Sequence, residues 1–205
     1  MTAQSFIEAA RCPRSMPTGE FGMWTFARQH VPDWDIARPR VGADSLMVLG
    51  HYTEAKAHQQ FGDIVMEDSA EELRKHLPIW MKARGRVLVS GLGLGCVVRG
   101  LLLNEAVRRI DVVEISPTIM EIVGAEFLAN PRVRLHQADA LKIEWPADVG
   151  WDYAWHDIWT HEGNGAPLHK LHLDLLFRYR GRVTREQGAW ALPREIKRML
   201  PGLIG

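Results

Sequence analysis

From Gly85 onward, short apolar runs alternate with helical ones, and a glycine-rich turn joins the first pair. Arg86-Val87-Leu88-Val89-Ser90 reads as a strand, residues 91–95 are Gly-Leu-Gly-Leu-Gly, and residues 97–103 form an apolar helical run. Ile110-Asp111-Val112-Val113-Glu114 is a second strand. Ser116-Pro117 then opens a helix, with serine as cap and proline at the first helical position. Ile119, Ile122, Val123 and Phe127 give that helix one apolar face, and Asn130-Pro131 ends it. Val133-Arg134-Leu135 begins a third strand, and residues 151–158 form a fourth. Strands alternating with helices imply right-handed crossovers and a parallel sheet. Ligands of such sheets sit outside the carboxyl ends of the strands. That rule singles out residues 91–95, 114–116, 137–140 and 157–161.

Glycine is needed where a turn takes positive φ and where a ligand approaches the backbone closely. A dinucleotide fingerprint would place glycine at position 96, where this chain has Cys96. The turn therefore fits a nucleoside with a small charged tail better than a pyrophosphate. A tight strand–helix connection would explain the same glycines without a ligand. Glu114 ends the next strand about 20 residues further on, where an acidic residue accepts from ribose hydroxyls. Asp139 follows the third strand and has two readings, an acceptor for the exocyclic amine of adenine or a helix N-cap.

The first 40 residues read as irregular, with Pro13, Pro17, Pro32 and Pro39 leaving room only for short helices. Residues 45–68 read as a small antiparallel sheet or hairpin, in which Gly50 breaks the first strand. Residues 69–82 read as a helix capped by Ser69, with Leu73, Leu77 and Trp80 on one face and Pro78 as a kink or stop. These segments make residues 1–84 an extension and residues 85–205 the ligand-binding domain. Residues 167–179 look helical, Gly181 breaks them, and a further helix fits residues 189–200.

Composition narrows the function classes. The 25 Lys and Arg balance 25 Asp and Glu. This neutral sum gives no global pull toward nucleic acid, which is taken as an unlikely partner. Residues 178–198 nevertheless hold seven basic and two acidic residues, either a solvated helical face or a phosphate contact. Cys12 and Cys96 are too few for a disulfide framework. No apolar run reaches membrane-spanning length and no signal core opens the chain, so a cytoplasmic protein without membrane contact is expected. His161, His169 and His172 lie near Asp157 and Glu162, but no cysteine joins them and the spacing matches no zinc pattern. Ordinary surface histidines, and no metal, are expected there. Of eight tryptophans, Trp145, Trp151, Trp155 and Trp159 crowd around the fourth strand.

Taken in order, residues 86–95 (RVLVSGLGLG), 111–116 (DVVEIS), 130–141 (NPRVRLHQADAL) and 151–159 (WDYAWHDIW) resemble the class I S-adenosylmethionine-dependent methyltransferase fold. With the lead-in 68–80 (DSAEELRKHLPIW), they are most similar to its spermidine synthase-like branch. The resemblance implies an α/β, Rossmann-like, mostly parallel sheet with helices on both faces, preceded by the small N-terminal hairpin and helix. The C-terminal stretch does not read as the antiparallel strand pair that usually closes that sheet. A compact enzyme, a binding protein without transfer activity, or a homo-oligomer whose partner completes the site would each account for this.

The resemblance also implies S-adenosylmethionine as cofactor. Gly91, Gly93 and Gly95 would pass under its methionine and ribose portion, and Glu114 would hold the ribose. Ile115 would lie against the adenine, which Asp139 and Ala140 would flank. Asp157 would face the sulfonium and the incoming nucleophile. Methyl transfer needs alignment and, where the acceptor carries a proton, a base. Asp157 is the first candidate for that base, with His156 and His161 next. Strand alternation puts His156 and Asp157 on opposite faces, so one of them reaches the site. Trp159 could stack on an acceptor or fill the core. The expected function is methyl transfer to a small-molecule acceptor. The alternatives are aminopropyl transfer, as in spermidine synthases, and a non-catalytic nucleoside-binding or assembly protein. Leu94 stands where aminopropyltransferases usually carry aspartate, which counts against the first alternative.

Overall fold

A computed structural model describes residues 2–30, 45–51, 63–158 and 168–190, together with 192, 196, 198, 202 and 203. The N-terminal part opens with helix α1 (Ala3–Ala9), capped by Thr2. Strands β1 (Gly19–Phe21), β2 (Trp24–His30), β3 (Ser45–His51) and β4 (Asp63–Glu67) follow in one antiparallel sheet of order β1-β2-β3-β4. The antiparallel sheet or hairpin expected over residues 45–68 is the β3–β4 half of a four-stranded sheet, whose β1 and β2 lie in the segment that read as irregular. Gly50 does not break β3; it marks a shift in register against β4. Asp68 ties the segment together, because its carboxylate accepts from Cys12 N (3.0 Å) and Met47 N (2.8 Å).

The helix expected over residues 69–82 is two helices. In α2 (Ala70–Arg74), Ser69 Oγ accepts from Glu72 N. The chain then turns, and α3 (Leu77–Lys82) restarts with Pro78 in its first turn, where a missing N–H costs nothing.

The second sheet is built from β5 (Gly85–Ser90), β6 (Val107–Glu114), β7 (Val133–Gln137), β8 (Trp151–His156) and β9 (Val183–Ala189), all parallel, in the order β7-β6-β5-β8-β9. This is a Rossmann-like α/β sheet. Helix α4 (Cys96–Leu102) follows the glycine turn. Helix α5 (Pro117–Ile122) is capped by Ser116 Oγ and runs into a 3-10 turn at Gly124–Phe127. Helix α6 (Leu168–Tyr179) precedes β9. Residues 183–189 were not expected to form a strand. Instead of an antiparallel closing pair, β9 extends the sheet in parallel beside β8.

The sheet is covered on both faces. Val87, Val89 and Val112 point to the side of α4 and α5, in one core with Ile119, Val123 and Phe127. Leu88, Val113 and Ala154 point to the other side, with Leu175 and Tyr179 of α6. The first core is continuous with the extension, since Phe6, Ile7, Leu73 and Trp80 belong to it. No helix among the described residues is long and apolar enough to cross a membrane.

Candidate functional site

Strand order reverses at β5, whose neighbours are β6 on one side and β8 on the other. The loops leaving β5 and β8 therefore diverge and open a crevice at their carboxyl ends, where open α/β sheets bind ligands. A cleft lies there, lined by Gly91, Gly93, Glu114, Ile115, Asp139, Ala140, Asp157 and Ile158, with Val65 and Met66 of β4 on its outer side.

The glycine turn has the backbone its sequence demands. Gly91, Gly93 and Gly95 take φ of 92°, 49° and 79°. At Gly91 a Cβ would stand 1.9 Å from the Asp157 carbonyl oxygen, so the backbones at the ends of β5 and β8 touch only because this residue has no side chain. Gly93 lies under Met66, whose Sδ accepts from Leu94 N at 3.2 Å. Gly95 does not line the cleft; it packs against Val123 and Phe127 and opens α4. Arg99 secures the far end of the turn, since its Nη1 donates to Leu94 O (2.9 Å) while its other nitrogens make a paired contact with Glu126.

Glu114 is buried at the end of β6. Its Oε2 accepts from Leu92 N (2.8 Å) and its Oε1 from Ser116 N (2.8 Å). One carboxylate thus fixes the glycine turn to the start of α5. Burial pushes its pKa above the ordinary carboxylate value, against backbone donors that favour the charge. Ile115 is exposed on the cleft rim and Ala140 is buried in its wall. Asp139 lines the cleft while its Oδ1 accepts from Leu141 N (2.9 Å), so it caps a turn within the site.

At the end of β8, alternation separates the candidate bases. Asp157 faces the cleft, whereas His156 faces α6. His156 is wholly buried, its ring stacked on Tyr179 and its Nδ1 bonded to Ser90 Oγ at 2.9 Å. Burial lowers its pKa to about 3, so it is neutral at physiological pH. His156 is corrected from candidate base to core residue, because its strand position turns it away from the cleft. His161 and Trp159 lie outside the described residues. His172 is not a surface histidine: it is buried and its Nε2 lies 3.3 Å from Ile158 O. No cluster of three or more His, Cys, Asp or Glu able to hold a metal occurs among the described residues.

Asp157 stands apart electrostatically. Its Oδ2 is shielded from solvent and has no hydrogen-bond partner among the described residues. Burial, reinforced by Glu72, pushes its pKa up to about 7, with Lys75 opposing. A carboxyl poised near neutral pH can take a proton and release it again, as general base catalysis requires. Sequence reasoning missed Val65, Met66 and, beside Asp157, His76. All three come from the extension, and no local motif marks them.

No family model matches the sequence. The chain is 33% identical over 89 residues to "Ribosomal RNA small subunit methyltransferase A" of Pseudomonas syringae pv. tomato, covering 43% of this chain and 32% of the relative. It is 31% identical over 94 residues to the protein of that name from Pseudomonas aeruginosa, covering 46% and 34%. The chain thus spans about a third of the length of the curated relatives it matches. Among solved structures, human methyltransferase-like protein 13 in complex with SAH is similar with a TM-score of 0.44 and 21% identity, over 56% of this chain and 59% of that one. The curated relatives carry an RNA methyltransferase name rather than a spermidine synthase one. They overturn the expectation that nucleic acid is an unlikely partner. That expectation rested on net charge, which sums over the chain and does not describe any one face of it.

Proposed function

We propose that the cleft binds S-adenosylmethionine and that the protein is a methyltransferase whose acceptor is RNA, acting in the cytoplasm. The observation that carries the reading is the Glu114 carboxylate, held by Leu92 N and Ser116 N at the lip of the glycine turn. The same carboxylate lines the cleft, with the Gly93 and Ile115 amides also close to it, and is the group there to which a ribose diol would donate. The cleft fits the rest of a nucleoside. Ile115, Ala140 and Leu141 offer apolar contact to a flat base, and Asp139 stands among them. Bound S-adenosylmethionine would supply a methyl group already activated by its sulfonium. The chain's own task is then to orient, exclude water and accept a proton, and Asp157 is placed for the last. An unpartnered, shielded carboxylate is costly in a site that only binds, which favours an enzyme over a non-catalytic nucleoside binder. RNA as the acceptor rests on the name shared by the curated relatives, and that name also disfavours aminopropyl transfer.

Calorimetry with S-adenosylmethionine, S-adenosylhomocysteine and decarboxylated S-adenosylmethionine tests the cleft. Binding of the first two is expected. Absence of binding by all three would remove the reading, and preference for the decarboxylated form would restore aminopropyl transfer. Incubation with labelled S-adenosylmethionine and ribosomal RNA should label the RNA; label confined to small amines or phenols would exclude the acceptor class.

A further inference from the structure

The turn between α2 and α3 buries His76 completely, and neither ring nitrogen has a hydrogen-bond partner among the described residues. The ring is fixed between two indoles, with centroids 5.6 Å from Trp80 and 5.8 Å from Trp155, the latter edge-on. Its Nε2 points at Asp157, 3.9 Å from Oδ2, the one oxygen of that carboxylate that is shielded and unpartnered. That separation is too long for a hydrogen bond. Two buried polar atoms facing each other unpaired are each destabilising, and an approach of roughly 1 Å would satisfy both.

We propose that His76 is the positioning residue of the site: its neutral imidazole donates from Nε2 to Oδ2 of ionised Asp157, holding that carboxylate toward the cleft to take the proton an N–H or O–H acceptor loses on methylation. The inference rests on the reading of the cleft as a methyltransferase site. It makes the extension part of the reaction centre. The proton account closes simply. The acceptor loses one proton, Asp157 gains it and becomes neutral, and the proton then passes to solvent. His76 stays neutral throughout, consistent with burial and Lys75 holding its pKa near 3. The charged groups facing Asp157 are Glu72 and Lys75, both from the α2 end of the extension. These two already engage each other, Lys75 Nζ donating to Glu72 Oε2 at 2.5 Å, while Trp190 Nε1 donates to Glu72 Oε1. They set the field around Asp157, and His76 is left as the donor.

The test measures both partners by NMR in the full chain. The Asp157 carboxyl carbon, assigned through Asp157→Asn, should titrate near neutral pH. The His76 Nε2 resonance should move with the same midpoint while reporting a neutral ring. His76→Phe keeps a ring between the two indoles but removes the donor, and should raise the Asp157 midpoint by about one unit or more. His76→Gln keeps a donor and should hold the midpoint within about half a unit of wild type. In the same pH series, the affinity ratio of S-adenosylmethionine to S-adenosylhomocysteine should rise about tenfold as Asp157 ionises, because only the former carries the sulfonium charge. A His76 resonance unmoved through the Asp157 transition overturns the inference, even if neither variant folds. So does an Asp157 midpoint unchanged in folded His76→Phe. A coupled titration with no binding of either nucleoside overturns the reading of the cleft instead.

Discussion

Glu114 and Asp157 are both carboxylates at the carboxyl ends of the two parallel strands that flank β5, yet they meet different surroundings. Glu114 accepts two backbone N–H bonds, and replacing it by alanine leaves Leu92 N and Ser116 N without acceptors. Hydrogen bonds to charged groups contribute about 1.5–3 kcal/mol each. Glu114→Ala should therefore weaken S-adenosylmethionine by at least about tenfold in calorimetry; unchanged affinity would move the ribose elsewhere. Asp157 gives the opposite stability signature. Its pKa in the fold is about 7 against an ordinary 3.8. Stability tied to a raised acid is present below the lower value and lost as pH rises through the higher one. Asp157→Asn should thus be near neutral for stability at about pH 4 and stabilising at pH 8, by a few kcal/mol at most. It should abolish methyl transfer while retaining cofactor binding. A Tm difference that does not grow with pH would place Asp157 in water. His156 has the reverse sign, since its pKa falls from 6.5 to about 3. Neutral His156 supports the fold above the unfolded pKa, and that support drains as pH falls. The stability advantage of wild type over His156→Gln should shrink by about 1.4 kcal/mol per pH unit below about pH 6 in urea titrations.

At the scale of elements, β8 decides which chemistry reaches the cleft. Tyr153, Trp155 and Asp157 face the extension and α4, while Ala154 and His156 face α6. The contact between the ends of β8 and β5 is set by Gly91. Gly91→Ala adds a Cβ 1.9 Å from Asp157 O at a φ of 92°. It should cost about 3 kcal/mol or more in chemical denaturation and displace Asp157 with it; a variant of wild-type stability would mean that the two strand ends do not meet. Strands β5, β6 and β8 could be read in the sequence because their burial on both faces demands apolar runs. Ser69 and Ser116 announced their helices by capping chemistry that is local. Strands β1, β2 and β9 gave no such signal. In β9, Thr184, Arg185 and Glu186 precede buried Gln187, Gly188 and Ala189, so neither an apolar run nor a clean alternation forms. The site divides in the same way. Gly91, Gly93 and Glu114 were readable because turn, strand end and spacing are local. Val65 and Met66 reach the cleft, and His76 reaches Asp157, only through tertiary packing. Alternation separated His156 from Asp157 in the sequence, but which of the two faces meets the cleft is decided by packing of His156 against Tyr179 of α6, which is not local.

For the whole molecule, the question is whether the boundary near residue 84 separates two folding units. Trp80 answers from the extension side. It is wholly buried, its ring stacks on Phe6 at 6.3 Å, and its Nε1 donates to Val97 O at 3.0 Å. A Cβ on Gly100 would stand 2.1 Å from its ring, so α4 is shaped to receive it. Asn104 Nδ2 donates to Trp80 O and Ala83 O, closing the same junction from the other side. Residues 85–205 alone would expose Val89, Val97 and Leu101, which now share a core with Phe6, Ile7 and Leu73. Burying one such side chain stabilises by about 1.5–3 kcal/mol, and a domain's whole margin is about 5–15 kcal/mol. A chain of residues 85–205 should therefore lose cooperative unfolding and near-ultraviolet circular dichroism while keeping helical and strand signals. Trp80→Ala in the full chain should cost about 3–5 kcal/mol by the same junction. A truncated chain that unfolds cooperatively and binds S-adenosylmethionine as the full chain does would show that the sheet stands alone. It would also leave Val65 and Met66 no part in holding the cofactor, so this one experiment judges the shared core and the shared cleft together.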